Sequence, residues 1–338
     1  MDTLIDRFNR PLRDLRISLT DRCNFRCVYC MPKEIFGTPT HFMPSEEAMT
    51  RDEIVTLVGA LSTLGVHKVR LTGGEPLLRN DIVPLVRDLA RISGIDDIAL
   101  TTNGSSLSRA RAVSLKEAGL SRITVSIDSL DPGRFGRING VGFPVERVLK
   151  AIDNAREAGL VPVKVNVVVK RGLNDMDIVP LAERFRFSGH TVRYIEYMDV
   201  GMSNGWSRKD VVPAAEILQT LSARWPLHPV EPAYYGEVAS RYRYDDGAGE
   251  IGLIASVTQP FCRNCTRARL SADGRLLLCL FADHGATLRD MVRNGATEQD
   301  LLETVRQIWG NRDDRYSELR NGDASALAKR LEMFQIGG

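Results

Sequence analysis

Between residues 15 and 198, short β-branched runs alternate with longer stretches of helical periodicity. The candidate strands are LRISLT (15–20), HKVRLT (67–72), IALTT (98–102), RITVSID (122–128), VKVNVVV (163–169) and VRYIEYM (192–198). Helical stretches fall near 46–64, 80–92, 107–118, 144–158 and 175–188. Several end in glycine, at TLG, EAG and REAG, where a helix stop is expected. Repeated β-α units imply parallel strands joined by right-handed crossovers. Six units are too few for the usual eight-stranded barrel. They leave a partial barrel or an open doubly wound sheet.

The strand faces choose between these. Strands of a sheet covered on both sides read as continuous apolar runs. Here they alternate. Arg16, Ser18 and Thr20 oppose Leu15, Ile17 and Leu19, and Lys68, Arg70 and Thr72 oppose Val69 and Leu71. Thr124, Ser126 and Asp128 oppose Ile123, Val125 and Ile127, and Lys164 and Asn166 oppose Val163, Val165 and Val167. One face carries helices. The other is polar and partly cationic, and needs water or a ligand, because unpaired buried polar groups are costly. A curved sheet with a solvated inner face is expected: an α/β partial (β/α)6 barrel. Residues 1–200 form that barrel, and residues 201–338 a C-terminal region closing its mouth. Residues 199–250 read as a connection with some strand content.

The chain of 338 residues carries a net charge of only +2, which makes no general case for nucleic acid. No apolar run approaches a membrane span and no signal-peptide pattern opens the chain, so a soluble cytoplasmic protein is expected.

The six cysteines fall into two groups. Cys23, Cys27 and Cys30 form C-x3-C-x2-C directly after the first strand, and Cys262, Cys265 and Cys279 form C-x2-C-x13-C. Tight local spacing points to metal rather than disulfides. Three thiolates hold three irons of a 4Fe–4S cubane and leave the fourth iron open, as catalysis needs. Zinc is the alternative. It requires a fourth ligand, with His41 poorly spaced for the first group and His284 available to the second. The glycines of TGGEPLL (72–78) let backbone approach a ligand closely, and the segment lacks the signature of a phosphate loop. Arg263, Arg267 and Arg269 surround the second group. With Arg16, Arg70, Lys164 and Arg193 on barrel strands, they suit a polyphosphate inside the barrel.

The first motif and GGEP resemble the radical S-adenosylmethionine superfamily. DLRISLTDRCNFRCVYCMP, RLTGGEPL, LTTNG, VKVNVV, IEYMDVG, FCRNCTRARLSADG and the terminal GG together resemble its GTP 3′,8-cyclase family, over essentially the whole chain. The resemblance implies two 4Fe–4S clusters and S-adenosylmethionine as cofactors. It implies cofactor contacts at Tyr29, Gly74, Glu75, Ser126 and Met198. GTP contacts are implied at Arg16, Arg70, Thr101, Lys164, Arg193, Arg267 and Arg269. Catalytic roles are implied for Arg267, Arg269, Gly337 and Gly338, the glycine pair entering the active site. The implied reaction abstracts hydrogen from ribose carbon 3′ of GTP and closes that carbon onto guanine carbon 8, giving 3′,8-cyclo-7,8-dihydro-GTP, the first committed step toward the molybdopterin cofactor. A low-potential electron donor, handover to cyclic pyranopterin monophosphate synthase and a homodimer are further expectations. Competing readings are a peptide-modifying enzyme of the same superfamily, a zinc-stabilised binding module and a simple electron-transfer protein. Tight GTP binding would tell against the first, bound zinc without iron would mark the second, and four-ligand clusters would mark the third.

Overall fold

The computed structural model describes residues 3–37, 42–320 and 330–337. Up to residue 196 it runs β1 (Asp14–Ser18), α1 (Lys33–Phe36), α2 (Arg51–Thr63), β2 (Lys68–Thr72), α3 (Ile82–Leu89), β3 (Asp97–Thr102) and α4 (Arg109–Glu117). Then come β4 (Arg122–Ser126), α5 (Pro132–Asn139), α6 (Val145–Glu157), β5 (Lys164–Val169), α7 (Ile178–Phe185) and β6 (Thr191–Glu196). The six strands stand where the alternation places them. Local chemistry sets the helix ends. Thr50 and Glu53 form a reciprocal capping box at the start of α2. Gly65, Gly119 and Gly159 take the left-handed conformation just beyond α2, α4 and α6. Helix α5 escapes the periodicity because Gly133 and Gly136 lower its helix propensity. Burial of Phe135 and Ile138 and a cap from Asp131 to the Arg134 N–H sustain it.

The remainder runs α8 (Ala214–Ser222), β7 (Leu227–Val230), β8 (Ser240–Tyr244), β9 (Glu250–Ile254), β10 (Arg267–Leu270), β11 (Arg275–Leu277) and β12 (Ala286–Thr287). Helices α9 (Leu288–Arg293), α10 (Glu298–Gly310), α11 (Tyr316–Leu319) and α12 (Met333–Ile336) follow. These strands extend the barrel sheet on both sides. The full order is β12-β11-β10-β1-β2-β3-β4-β5-β6-β9-β8-β7. Strand β10 pairs parallel with β1, and β9 pairs parallel with β6. Both raw edges of the six-stranded unit are thereby paired, which removes them as sites of unwanted association.

Leu15, Ile17, Val69, Leu71, Ile123, Val125, Val165 and Val167 are buried in the main core, which also takes in the apolar faces of α2, α3, α4, α6 and α7. The other face holds the polar rows. Because neighbours in register share a face, Arg269, Arg16 and Arg70 stand side by side on β10, β1 and β2. Ser126, Asn166 and Arg193 do the same on β4, β5 and β6. Among the described residues, no helix is long and apolar enough to cross a membrane.

Candidate active site

One cavity on the polar face is lined by all six cysteines. Its wall also carries Arg16, Arg70, Thr101, Arg193, Arg267 and Arg269, together with Tyr29, Gly74, Ser126 and Met198. Sequence segments more than 230 residues apart meet there because β10 docks beside β1.

The first triad follows β1 in a loop held by its own backbone. Cys30 and Met31 N–H groups both donate to the Cys27 carbonyl, at 2.9 and 2.8 Å. Arg26 Nη1 donates to the carbonyls of Cys23 (2.7 Å) and Phe25 (2.8 Å). Burial pushes the Cys23 thiol up to about 11, with Glu75 adding to the rise. Burial and then Cys23 push the Cys27 and Cys30 thiols up as well. Three crowded, desolvated thiols ionise readily only when a metal replaces their protons. This donor set fits an iron–sulfur cluster.

The glycine turn has a use beyond the one expected of it. Gly74 N–H donates to Thr20 O at 2.7 Å and Glu75 N–H to Arg22 O at 2.8 Å. A Cβ on Gly74 would collide with the Arg22 carbonyl. The turn is thus pressed against the loop that enters Cys23. Glu75, expected as a cofactor contact, is fully buried behind the wall. Its carboxylate accepts from Leu77 N–H (3.0 Å), Thr102 Oγ1 (2.7 Å) and Asn103 N–H (2.7 Å), so the structure makes it a brace between β2 and β3. Tyr29 Oη donates to Asp128 Oδ2 at 2.6 Å. Burial raises Asp128 to about 6 against the opposing pull of that bond and of the Val168 N–H.

The arginines are crowded. Arg70 Nη1 donates to Thr101 Oγ1 (3.1 Å) and Thr124 Oγ1 (3.4 Å), and Arg193 Nε to Asn166 Oδ1 (2.9 Å). The Arg16 side chain makes no hydrogen bond to a described residue. Burial, then Arg269, Arg267 and Arg70, holds its guanidinium well below the ordinary range. Burial and then Arg70 bring Arg193 down to about 9, and burial and then Arg267 bring Arg269 down to about 10. Arg267 lies over the Phe261 ring, 5.0 Å from its centroid, and its buried Nη1 has no partner. Lys164 shares this face but does not reach the cavity wall; burial, then Arg193, Arg122 and Arg70, lowers it to about 7.

The second triad brackets the N-terminal end of β10. Burial alone would raise the Cys265 thiol, but Arg267 and Arg312 outweigh it and bring it down to about 6. Burial pushes Cys279 up to about 11. His284, the alternative fourth ligand, has a side chain 92% exposed and is paired with Asp283. Among the described residues no three His, Cys, Asp or Glu donors close on a single ion. A cubane asks for that less than zinc does, because each thiolate meets a different iron. The tail reaches the same wall. Arg269 Nη1 donates to the Gly337 carbonyl and, at 3.3 Å, to that of Ile336. Gly337 has φ +74°, and a Cβ there would strike Thr72. Gly338 and His41 lie outside the described residues.

Reading residues one at a time missed Asp128, Asn103, Arg10 and Arg312. Asp128 was legible as the next same-face position after Ser126. Asn103, whose Nδ2 stands 3.8 Å from Cys23 Sγ, lies in LTTNG with no chemistry of its own to mark it.

The crystal structure of Streptococcus suis SuiB bound to S-adenosylmethionine superposes with a TM-score of 0.61, covering 88% of this chain and 69% of that one at 15% identity. At that identity the likeness speaks for the fold. The Radical SAM superfamily model matches residues 17–185, and the Molybdenum Cofactor Synthesis C model matches residues 190–318. Partial barrel and cysteine loop therefore define a radical S-adenosylmethionine enzyme, a class built on a 4Fe–4S cluster and that cofactor. Among curated relatives, the GTP 3′,8-cyclase of Acidothermus cellulolyticus is 54% identical, with 98% of both chains covered. Those of Xanthomonas axonopodis pv. citri and Staphylococcus aureus strain Newman are 49% and 46% identical, covering 98% and 100% of each chain. This chain belongs to the GTP 3′,8-cyclase family.

Proposed function

We propose that the chain converts GTP to 3′,8-cyclo-7,8-dihydro-GTP, the first step of molybdenum cofactor biosynthesis, and that both cysteine triads carry 4Fe–4S clusters. The observation that carries this is the in-register row Arg269–Arg16–Arg70 in a cavity that both triads line. A row of like charges costs stability unless an anion enters it. A triphosphate supplies that anion. When bound, the first cluster and S-adenosylmethionine supply the one-electron chemistry.

The chain's own residues do the rest. Tyr29, Gly74, Ser126 and Met198 line the cofactor end. Arg16, Arg70, Thr101, Arg193, Arg267 and Arg269 hold the nucleotide, with Lys164 adding charge from beyond the wall. The second triad would hold its cluster at the guanine end of the nucleotide, where it would supply a metal site for the base. Fixing ribose and base together gives an intramolecular attack its orientation. Gly337 closes the cavity at Arg269 and helps exclude water, and the catalytic role expected of the glycine pair extends to Gly338. In this reading residues 1–200 supply the cofactor barrel and 201–338 the second cluster and part of the nucleotide site. A low-potential donor supplies electrons, the product passes to cyclic pyranopterin monophosphate synthase, and the protein works as a cytoplasmic homodimer.

The test is anaerobic reconstitution followed by iron and zinc counting. Dithionite, S-adenosylmethionine and GTP are then added, and 5′-deoxyadenosine and cyclised GTP are sought. About eight irons, no zinc and GTP-dependent product are expected from two cubanes. About four irons with one zinc would end the substrate role of the second triad.

A further inference from the structure

Three buried residues outside the sheet converge on the second triad. Asp6 and Arg10 come from the N-terminal segment and Arg312 from the turn after α10. The Asp6 and Arg10 side chains are 0% exposed and that of Arg312 is 1% exposed. Asp6 Oδ2 accepts from Arg10 Nε at 2.5 Å and from Arg312 Nη1 at 3.4 Å, and Oδ1 accepts from the Arg10 N–H at 2.9 Å. Each guanidinium then reaches a different cysteine. Arg10 Nη1 donates to the Cys262 carbonyl (2.9 Å) and the Asp314 carbonyl (2.8 Å). Arg312 Nη1 donates to the Cys265 carbonyl (2.9 Å), and its Nη2 donates to Cys265 Sγ (3.3 Å). Trp309 locks the arrangement: its Nε1 donates to the Arg10 carbonyl at 3.1 Å, and Arg312 lies 4.5 Å from its ring centroid.

Asp314 Oδ2 also stands 3.7 Å from Arg312 Nε, so the two guanidiniums face two carboxylates, the second with a side chain 35% exposed. Uncompensated buried charge is costly. The Arg312 guanidinium donates to the Cys265 sulfur itself, and Arg10 Nη2 is buried with no partner while Arg10 lines the cavity. A metal-bound thiolate would give the Arg312 donor a charged acceptor. Hydrogen bonds and positive charge at a ligating sulfur favour the reduced, more negative cluster.

We propose that Asp6, Arg10 and Arg312 are positioning residues that hold the Cys262–Cys265 turn and raise the reduction potential of the cluster bound there. This rests on the two-cluster reading above. The experiment uses the full-length reconstituted protein and its Arg312→Gln and Arg312→Lys variants. Iron is counted, melting followed, and each cluster titrated by spectroscopically monitored reduction. Arg312→Gln is expected to shift the second cluster to lower potential and leave the first unmoved. Arg312→Lys keeps the charge and fewer donors, and shifts less; it decides the matter should the glutamine variant misfold. Selective loss of about half the iron from Arg312→Gln, with the first cluster's signal intact, would equally support a hold on this site. Unmoved potentials in folded variants with both clusters bound would overturn the proposal alone. Zinc in the wild-type second site would overturn it together with the reading beneath it.

Discussion

Arg16→Met is expected to push stability and ligand affinity in opposite directions. Without ligand, Arg16 stands between Arg269 and Arg70 on adjacent strands, and no described residue accepts a hydrogen bond from its side chain. Replacing buried charge by apolar side chains of similar volume is neutral or stabilising by about 1–4 kcal/mol. Arg16 is only partly buried and faces the cavity, so the lower end applies. A gain of about 1 kcal/mol raises the melting temperature of a chain this long by about 2 °C. With GTP the sign reverses. Hydrogen bonds from a charged donor contribute about 1.5–3 kcal/mol, so affinity falls about 10- to 150-fold. Calorimetric melts of the reconstituted protein, with and without GTP, and anaerobic titration calorimetry read both effects. A lower melting temperature with unchanged GTP affinity would refute the argument, since Arg16 would then be a structural residue with partners in the fold.

Three further outcomes follow from the same geometry. Lys164 sits at about 7 in the free protein against an ordinary 10.5. Between those values the unfolded chain holds more protons than the native one, so Lys164 makes stability rise with pH across that window. A bound triphosphate restores its charge; GTP binding at pH 8 therefore takes up protons, and the heats vary with buffer ionisation enthalpy in wild type but less in Lys164→Met. Glu75→Gln weakens a buried set of charge-assisted bonds and costs about 1–3 kcal/mol in a denaturant melt; an unchanged melt with lost cofactor affinity would return Glu75 to the role of ligand contact. Gly337→Ala puts a side chain at a left-handed position against Thr72. That costs about 1–2 kcal/mol, or about 5- to 30-fold in docked tail. Turnover should fall and proteolysis of the tail should accelerate, with GTP affinity less affected; unchanged turnover would show that docking does not depend on this backbone conformation.

What the sequence made legible is what local pattern encodes. Alternation of Arg16, Ser18 and Thr20 against Leu15, Ile17 and Leu19 located β1 and both its faces. Cysteine spacing located both triads. The pairing of β10 with β1 and of β9 with β6 was not legible, because parallel pairing across more than 50 residues leaves no local signature. The bonds that Glu75 makes within the fold were not legible, for a related reason. Its neighbours Gly73 and Gly74 announce close approach, but whether the approaching group is ligand or backbone depends on where residues 20–22 fold. Arg10 and Arg312 read as ordinary surface cations until Asp6 and the Cys262–Cys265 turn are brought around them.

Topology also accounts for the relative placement of the triads. Strands β1 and β10 run parallel, with Asp14–Ile17 paired to Arg267–Leu270. The first triad follows the C-terminal end of β1, whereas Cys262 and Cys265 precede the N-terminal end of β10. The two groups therefore lie at opposite ends of one pair of strands. Strand β11 returns antiparallel to β10, with Arg269 opposite Leu277. Cys279 thus comes back to the end where Cys265 sits, which is how a thirteen-residue gap closes into a triad. Four paired positions span three intervals of about 3.3 Å, which separates the two ends by roughly 10 Å or more. Arg16, Arg267 and Arg269 occupy the cavity-facing side of that span. Under the proposed function, a substrate held by them spans that distance. In that reading GTP turns its base toward the second group and its ribose toward the first, with the triphosphate along the cationic wall between them.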